Sequence, residues 1–333
     1  MSTTQHEKDL AQPITAFAFV VEEEDLPARL DAFVTKRLPW RSRAFYQKLI
    51  EQGKVEVNNR ATRPGRRLSA GDRVVVDVAE HQQEYIEPAT SALEVLHEDE
   101  QVLVLNKAPG TVVHPTGRYL YNTLMNAVHA RYASAAYRPR IVHRLDKETS
   151  GVVVLAKTEQ ARTHLARQIE KRQVTKTYLA LTHGVFSARE GAITLPLGDH
   201  RYSHIGIKQD VVPDSGLPSR SVYRVLATAP HVEGFIHGLT LVQVRPVTGR
   251  THQIRVHVAA IGHPILCDKL YGQEWSCAVG GTTITHHLLH AWRWACIHPG
   301  TEQPAEFTAP LPADFGTAVT QIFGLRLEGL PTG

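Results

Sequence analysis

The stretch from Arg140 to Gly151, RIVHRLDKETSG, runs directly into the apolar run Val152 to Ala156, and this junction constrains the fold more than any other feature. A charged loop belongs at a surface or cleft, whereas five successive apolar residues read as a strand covered on both faces. Gly151 stands at the join, where it allows close backbone approach or an unusual dihedral. A loop anchored to such a strand is a common place for a positioned catalytic group, and Asp146 is the candidate. Taken alone, one aspartate among Arg144 and Lys147 is more often a structural ion pair.

Around this junction the pattern predicts strands over 93–97, 102–106, 151–156, 176–182, 220–227 and 235–245, and helices over 122–132, 159–171 and 252–261. Helix 159–171 buries Ala161, Leu165 and Ile169. In helix 252–261 the buried stripe is Ile254, Val258 and Ile261, which leaves Arg255 at the edge, facing a cleft. Only some strands are separated by a helix long enough for a parallel crossover. The fold class is therefore mixed α+β with a largely antiparallel sheet.

Charge divides the chain. Between Leu26 and Arg73 there are twelve Lys or Arg against four Asp or Glu, a local balance of +8, although the whole chain carries only +4. A compact basic module on a mildly acidic body suits docking to a polyanion, most economically a nucleic acid. Leu30, Phe33, Val34 and Leu38 repeat at helical spacing, with Pro27 placed for the first turn. Ser42 reads as the N-cap of a second helix that buries Phe45, Leu49 and Ile50, and Gly53 as its left-handed end. Val55 and Val57, the Asn58-Asn59 turn and Val74 to Val78 then make a small sheet. The polar segment Ala79 to Ser91 reads as a linker, giving an N-terminal segment 1–25, a basic domain 26–78 and a larger domain 92–325.

A content of 42% hydrophobic and 21% charged residues excludes the disordered class. The longest largely apolar run, Ile14 to Val21, falls far short of the ~20 residues of a membrane span. No cleavage site follows it, and a cytoplasmic protein is expected. Cys267, Cys277 and Cys296 include no CxxC pair and are expected to be structural free thiols. His286, His287 and His290 with Cys277 fit no common zinc spacing, so no metal is expected.

The segments RLDAFVTKRL, SRAFYQKLIEQGKVEVNNR and LSAGDRVVV, in that order, resemble the alpha-L RNA-binding motif of a ribosomal small-subunit protein and several RNA-modifying enzymes. The resemblance implies that Arg29, Lys36, Arg37, Arg41, Arg43 and Lys48 face structured RNA. HRLD, followed by TSG and an apolar strand, is similar to the signature of the RluA family of pseudouridine synthases. VTKTYLAL (174–181), TGRTHQIRVHVAAIGHPI (248–265), LLHAWR (288–293) and EFTAPLPADF (306–315) resemble that family's further motifs in register, the last two as C-terminal strands.

That resemblance implies a synthase that isomerises uridines in RNA, with ribosomal RNA of the large subunit favoured, transfer RNA second, and a monomeric protein. Asp146 is then the catalytic carboxylate, Arg255 its partner, Tyr178 the ring stacked on uracil and Arg144 the filler of the space a flipped base leaves. His143, Lys147, Lys107, Arg250 and His252 would contact phosphates or support the loop. Isomerisation neither gains nor loses atoms, so no cofactor is expected. The alternative is a non-catalytic RNA-binding assembly factor on the same scaffold. Two departures stand out: Ala108-Pro109 in Asn106 to Gly110, where the family usually writes NKPxG, and Cys267 where glycine is usual.

Overall fold

The computed structural model describes residues 16–38, 42–77, 93–115, 119, 121–200, 208–272, 274–279 and 281–325. They fall into two compact units, one drawn from residues 1–92 and 114–134, the other from 93–113 and from 135 onward. The segment read as a linker, 79–91, and Arg41 lie outside the described residues.

The first unit contains β1 (Ala16–Val20), α1 (Leu30–Arg37), α2 (Arg43–Glu51), β2 (Val55–Val57), β3 (Arg60–Ala61), β4 (Arg73–Asp77) and α3 (Leu124–Arg131). Its strands form an antiparallel sheet in the order β1-β4-β2-β3. The Ser42 hydroxyl accepts the Phe45 N–H and starts α2, and Gly53, at φ +74°, closes the turn after it. Asn58 and Asn59 both take positive φ in the β2–β3 turn, a conformation asparagine tolerates better than most residues. Leu30, Phe33, Val34, Leu49 and Ile50 pack on Val55, Val57, Val74 and Val76. Tyr46, rather than Phe45, is the fully buried aromatic of α2, because its hydroxyl donates to the Leu38 carbonyl at 2.6 Å. Pro27 precedes α1 instead of occupying its first turn, and part of the Ile14–Val21 run is β1, paired with β4.

The second unit contains β5 (Val95–Glu98), β6 (Val102–Lys107), β7 (Arg140–Ile141), β8 (Ser150–Ala156), α4 (Glu159–Glu170), β9 (Thr175–His183), β10 (Glu190–Ile193), β11 (Leu197–Asp199) and β12 (Gln209–Val211). Then follow β13 (Ser221–Ala229), β14 (Leu239–Pro246), α5 (Gln253–Ala260), β15 (Cys277–Val279), β16 (Thr282–Ile284), β17 (Leu289–Ile297), β18 (Pro304–Thr308) and α6 (Ala313–Phe323). One large sheet runs β10-β13-β14-β9-β17-β8-β6-β5, with β7 on β8 and β18 on β17. All its pairings are antiparallel except β8 with β17. The expected mixed, largely antiparallel α+β class is the one observed.

Strand alternation decides what each face carries. Leu179 and Leu181 of β9 join the core that includes Phe315, Ala318 and Val319 of α6, while Ala180, with Tyr178, joins Ile254 and Val258 of α5. Leu165 of α4 packs on Val102, Val104, Val152 and Val154. Three expectations change. Residues 235–238 close a turn before β14 begins at Leu239, and 306–315 is a strand to Thr308 followed by α6 after two prolines. In α5, residues 253–258 are all buried, Arg255 included, while Ile261 is exposed, because the helix is covered on a second side by the segment carrying Asp268.

Candidate active site

Gly151 sets the geometry. At φ +109° it brings β8 so close to β17 that a Cβ there would lie 2.2 Å from the Ala291 carbonyl oxygen. Beside it, the Ser150 and Thr149 hydroxyls meet His290 Nδ1 (2.9 Å) and His287 Nε2 (2.8 Å). The loop that leads into β8 is held from below. Lys107, buried at the end of β6, donates from Nζ to the carbonyls of Ala108, Thr111 and Lys147, each at 2.9 Å. Burial pushes its pKa down to about 7 against the opposing pull of Asp146 and Glu148. Its ammonium thus supports the loop from within and is not placed to meet phosphate. His143 stacks on Trp294 at 4.0 Å and accepts the Val154 N–H at 3.0 Å, so it too fastens the loop to β8.

The Asp146 carboxylate projects from this loop toward α5. Arg255 Nη1 donates to its Oδ2 at 2.9 Å, while Arg255 Nε and Nη2 both donate to Asp268, each at 2.7 Å. Asp268 is fully buried and also accepts the N–H groups of Leu270 and Tyr271. The guanidinium lies 5.0 Å from the Tyr271 ring centroid. The Tyr271 hydroxyl accepts the Gln209 N–H, so its proton points to His252 Nδ1 at 2.8 Å. His252 then carries its own proton on Nε2, 3.8 Å from Asp146 Oδ2.

Burial would raise the Asp146 pKa, but His252, Arg255 and His287 together hold it below the ordinary carboxylate value. Burial keeps both histidines low, His287 at about 3, so near neutral pH Arg255 is the permanent cation of the set. Burial and then the Asp146 charge push the Tyr178 hydroxyl well above its usual range, which keeps it protonated. The arrangement is a carboxylate kept ionised in a largely closed site, suited to nucleophilic or general-base work.

The remaining candidates are distributed as follows. Arg144 is exposed on the same loop and forms no ion pair with a described residue. Lys147 contributes its backbone carbonyl to Lys107, and its side chain is exposed. The Arg250 N–H is capped by Gln253 Oε1 at 3.1 Å, and its guanidinium reaches the Pro218 carbonyl. In the first unit Arg29 and Arg43 both clasp Asp31, and Lys36 and Arg37 pair with Asp25, while Lys48 is exposed. Sequence reasoning missed Asp268, Tyr271 and the inward turn of Lys107. The sequence marks the turn from Cys267 to Gly272 only by Cys267, standing where the family usually has glycine. That cysteine sits at φ +59°, the left-handed region that favours glycine.

Among the described residues, His97, Asp99 and His298 bring three donor atoms within 4.8 Å of one another. His298 Nδ1 accepts the N–H groups of Gly300 and Thr301, which places the proton of a neutral ring on Nε2, facing Asp99 at 2.9 Å. A metal on Nε2 would require that proton to leave, so the cluster fits a polar staple better than a ligand set.

Residues 101–260 match the RNA pseudouridylate synthase family, and residues 28–74 match the S4 domain. The chain is 40% identical over 260 residues to a protein of Aquifex aeolicus named an uncharacterized RNA pseudouridine synthase, covering 76% of this chain and 79% of that one. It is 36% identical over 304 residues to the ribosomal large subunit pseudouridine synthase D of Nitrosomonas europaea, covering 89% and 85%. Among solved structures, human RNA pseudouridylate synthase domain containing 4 superposes with a TM-score of 0.56 at 26% identity, covering 70% of this chain and 95% of that one. With the loop, the ion pair and the strand order in place, the chain belongs to the RluA family of RNA pseudouridine synthases and carries an S4 domain at its N-terminal end.

Proposed function

We propose that this isomerase acts on uridines of large-subunit ribosomal RNA, with Asp146 as its catalytic carboxylate. The observation that carries the reading is the contact of Asp146 with a buried arginine that is itself fixed by a second buried carboxylate. In the reaction the N1–C1′ bond breaks, the uracil turns over in the site, and C5 joins C1′. The C5 proton is then lost and N1 gains one, so atoms balance without a cofactor. An ionised carboxylate suits the electron-deficient sugar or the C5 proton, and is regenerated at the end. Tyr178 supplies a ring against uracil, and its protonated hydroxyl cannot compete with Asp146 as a base.

A base within folded RNA reaches an enclosed carboxylate only when flipped out, and Arg144 is the exposed planar cation available to fill the gap it leaves. The ribosomal target is supported by the names of several relatives, and RNA docking by the basic S4 domain. Transfer RNA, a cytoplasmic location and a monomeric state complete the expectations to be tested. The decisive assay is tritium release from 5-tritiated uridine RNA by Asp146→Asn, which keeps the shape but loses the charge. No release is expected; substantial release overturns the assignment.

A further inference from the structure

The Sγ atoms of Cys267 and Cys277 lie 3.0 Å apart, with Cys267 buried and Cys277 partly exposed. Cys267 is the residue immediately before Asp268, the carboxylate that grips Arg255. Its N–H donates to Glu274 Oε1, and its thiol faces the Ile284 carbonyl on β16, the partner strand of Cys277. The two thiols therefore bracket the segment that carries Asp268 and Tyr271. Neither has a part in the isomerisation derived above.

We propose that Cys267 and Cys277 form a redox modification site whose oxidation to a disulfide turns the synthase down by shifting Asp268. The oxidant is a peroxide. The Cys277 thiolate attacks one peroxide oxygen, the O–O bond breaks, and the departing hydroxide takes a proton to become water, leaving a sulfenic acid. Cys267 then loses its proton and attacks that sulfur; the S–S bond forms, the S–O bond breaks and a second water leaves. Two thiols and one peroxide give one disulfide and two waters.

The roles of the two sulfurs follow from their surroundings. Cys277 is reachable from solvent, and its hydrogen bond with Cys267 lowers its pKa, which favours thiolate there; the same contact, with burial, raises that of Cys267. The bond requires sulfurs ~2 Å apart, so the pair must close by roughly 1 Å. The backbone next to that movement is Asp268, and a displacement of about 1 Å at a positioning group can cost roughly 10²-fold in rate. In a reducing compartment such a dithiol is redox-sensing rather than structural. Cys296, buried and with its pKa raised, serves as an internal control.

The effect on turnover rests on Asp146 being catalytic; bond formation does not, and is measured without RNA. Full-length protein is treated with one equivalent of hydrogen peroxide, then assayed by thiol titration, intact mass, peptide mapping and single-turnover rate. The expected result is loss of two of three thiols, a mass decrease of 2 Da, a peptide joining Cys267 to Cys277, and a rate at least tenfold lower that dithiothreitol restores. Cys277→Ser should keep its rate through the same treatment, as should Cys267→Gly, whose glycine suits the left-handed backbone. The proposal is overturned if both thiols survive, if Cys277 ends as a sulfinic acid with Cys267 intact, or if the disulfide forms with the rate unchanged.

Discussion

Replacing Arg255 separates the two services it performs. Three donors of one guanidinium are committed, two to Asp268 and one to Asp146; Arg255 and Asp268 are buried, and Asp146 is partly so. Arg255→Lys keeps the charge but offers one nitrogen for two carboxylates, so at least one charge-assisted hydrogen bond is lost, each contributing about 1.5–3 kcal/mol. A rate decrease of about 10²-fold corresponds to about 3 kcal/mol, and is expected in single-turnover tritium release. Arg255→Met removes the charge as well and strands the buried Asp268 carboxylate beside the partly buried Asp146; breaking a buried pair costs about 3–5 kcal/mol, measurable by urea unfolding.

The pH profile gives the sign. Arg255 helps hold the Asp146 pKa below its ordinary value, so in Arg255→Met burial dominates and the carboxyl titrates at higher pH. The acid limb of the rate should move upward in pH with Met and stay close to wild type with Lys, because Lys retains a cation. An Arg255→Met enzyme with wild-type stability and an unmoved acid limb would refute the idea that this arginine keeps Asp146 charged.

Gly151→Ala should destabilise the protein by roughly 4 kcal/mol or more, since the new Cβ meets the Ala291 backbone at 2.2–2.8 Å and the dihedral is left-handed; a change under about 1 kcal/mol in urea unfolding contradicts the β8–β17 approach. Asp31→Asn should cost about 2–3 kcal/mol, because Asp31 is buried and accepts from Arg29, Arg43, Gln47 and the Ala32 N–H. These contacts depress the Asp31 pKa, so its stabilisation is complete above the unfolded value of ~3.9 and lost as pH falls through the folded one; unfolding curves of the variant should lack that acid-range loss. Charge reversal at exposed Lys36 and Lys48 should lower the slope of log K against log salt by about 1.4–1.8 if each meets one phosphate, as read by RNA binding at graded salt.

Local chemistry made several elements legible. Ser42, Gly53 and the two asparagines each act within a few residues of themselves, so cap, stop and turn appear where the pattern places them. The apolar stretches within 102–106 and 151–156 also read as strands, and β6 and β8 lie there. Burial along α5 was misjudged because a periodicity reports one buried stripe, while this helix is covered on two sides. Likewise Lys107 looks like a surface cation by type, and only the three carbonyls gathered around it explain why it is buried.

By itself the sequence determined the basic N-terminal module, the loop that presents Asp146 and the motif order that marks the family, but not that residues 114–134 fall in the same compact unit as that module. Module, loop and motif order depend on residue type and spacing along the chain. Tertiary structure decided which groups meet. Asp146 and Arg255 are 109 positions apart, and the arginine's second partner, Asp268, lies in a turn that no periodicity marks. Their meeting depends on the parallel pairing of β8 with β17, the closeness Gly151 permits and the placement of α5 on the Tyr178 face of the sheet. Side-chain periodicity specifies a face but not its neighbour, and the ionisation of Asp146 is a property of neighbours.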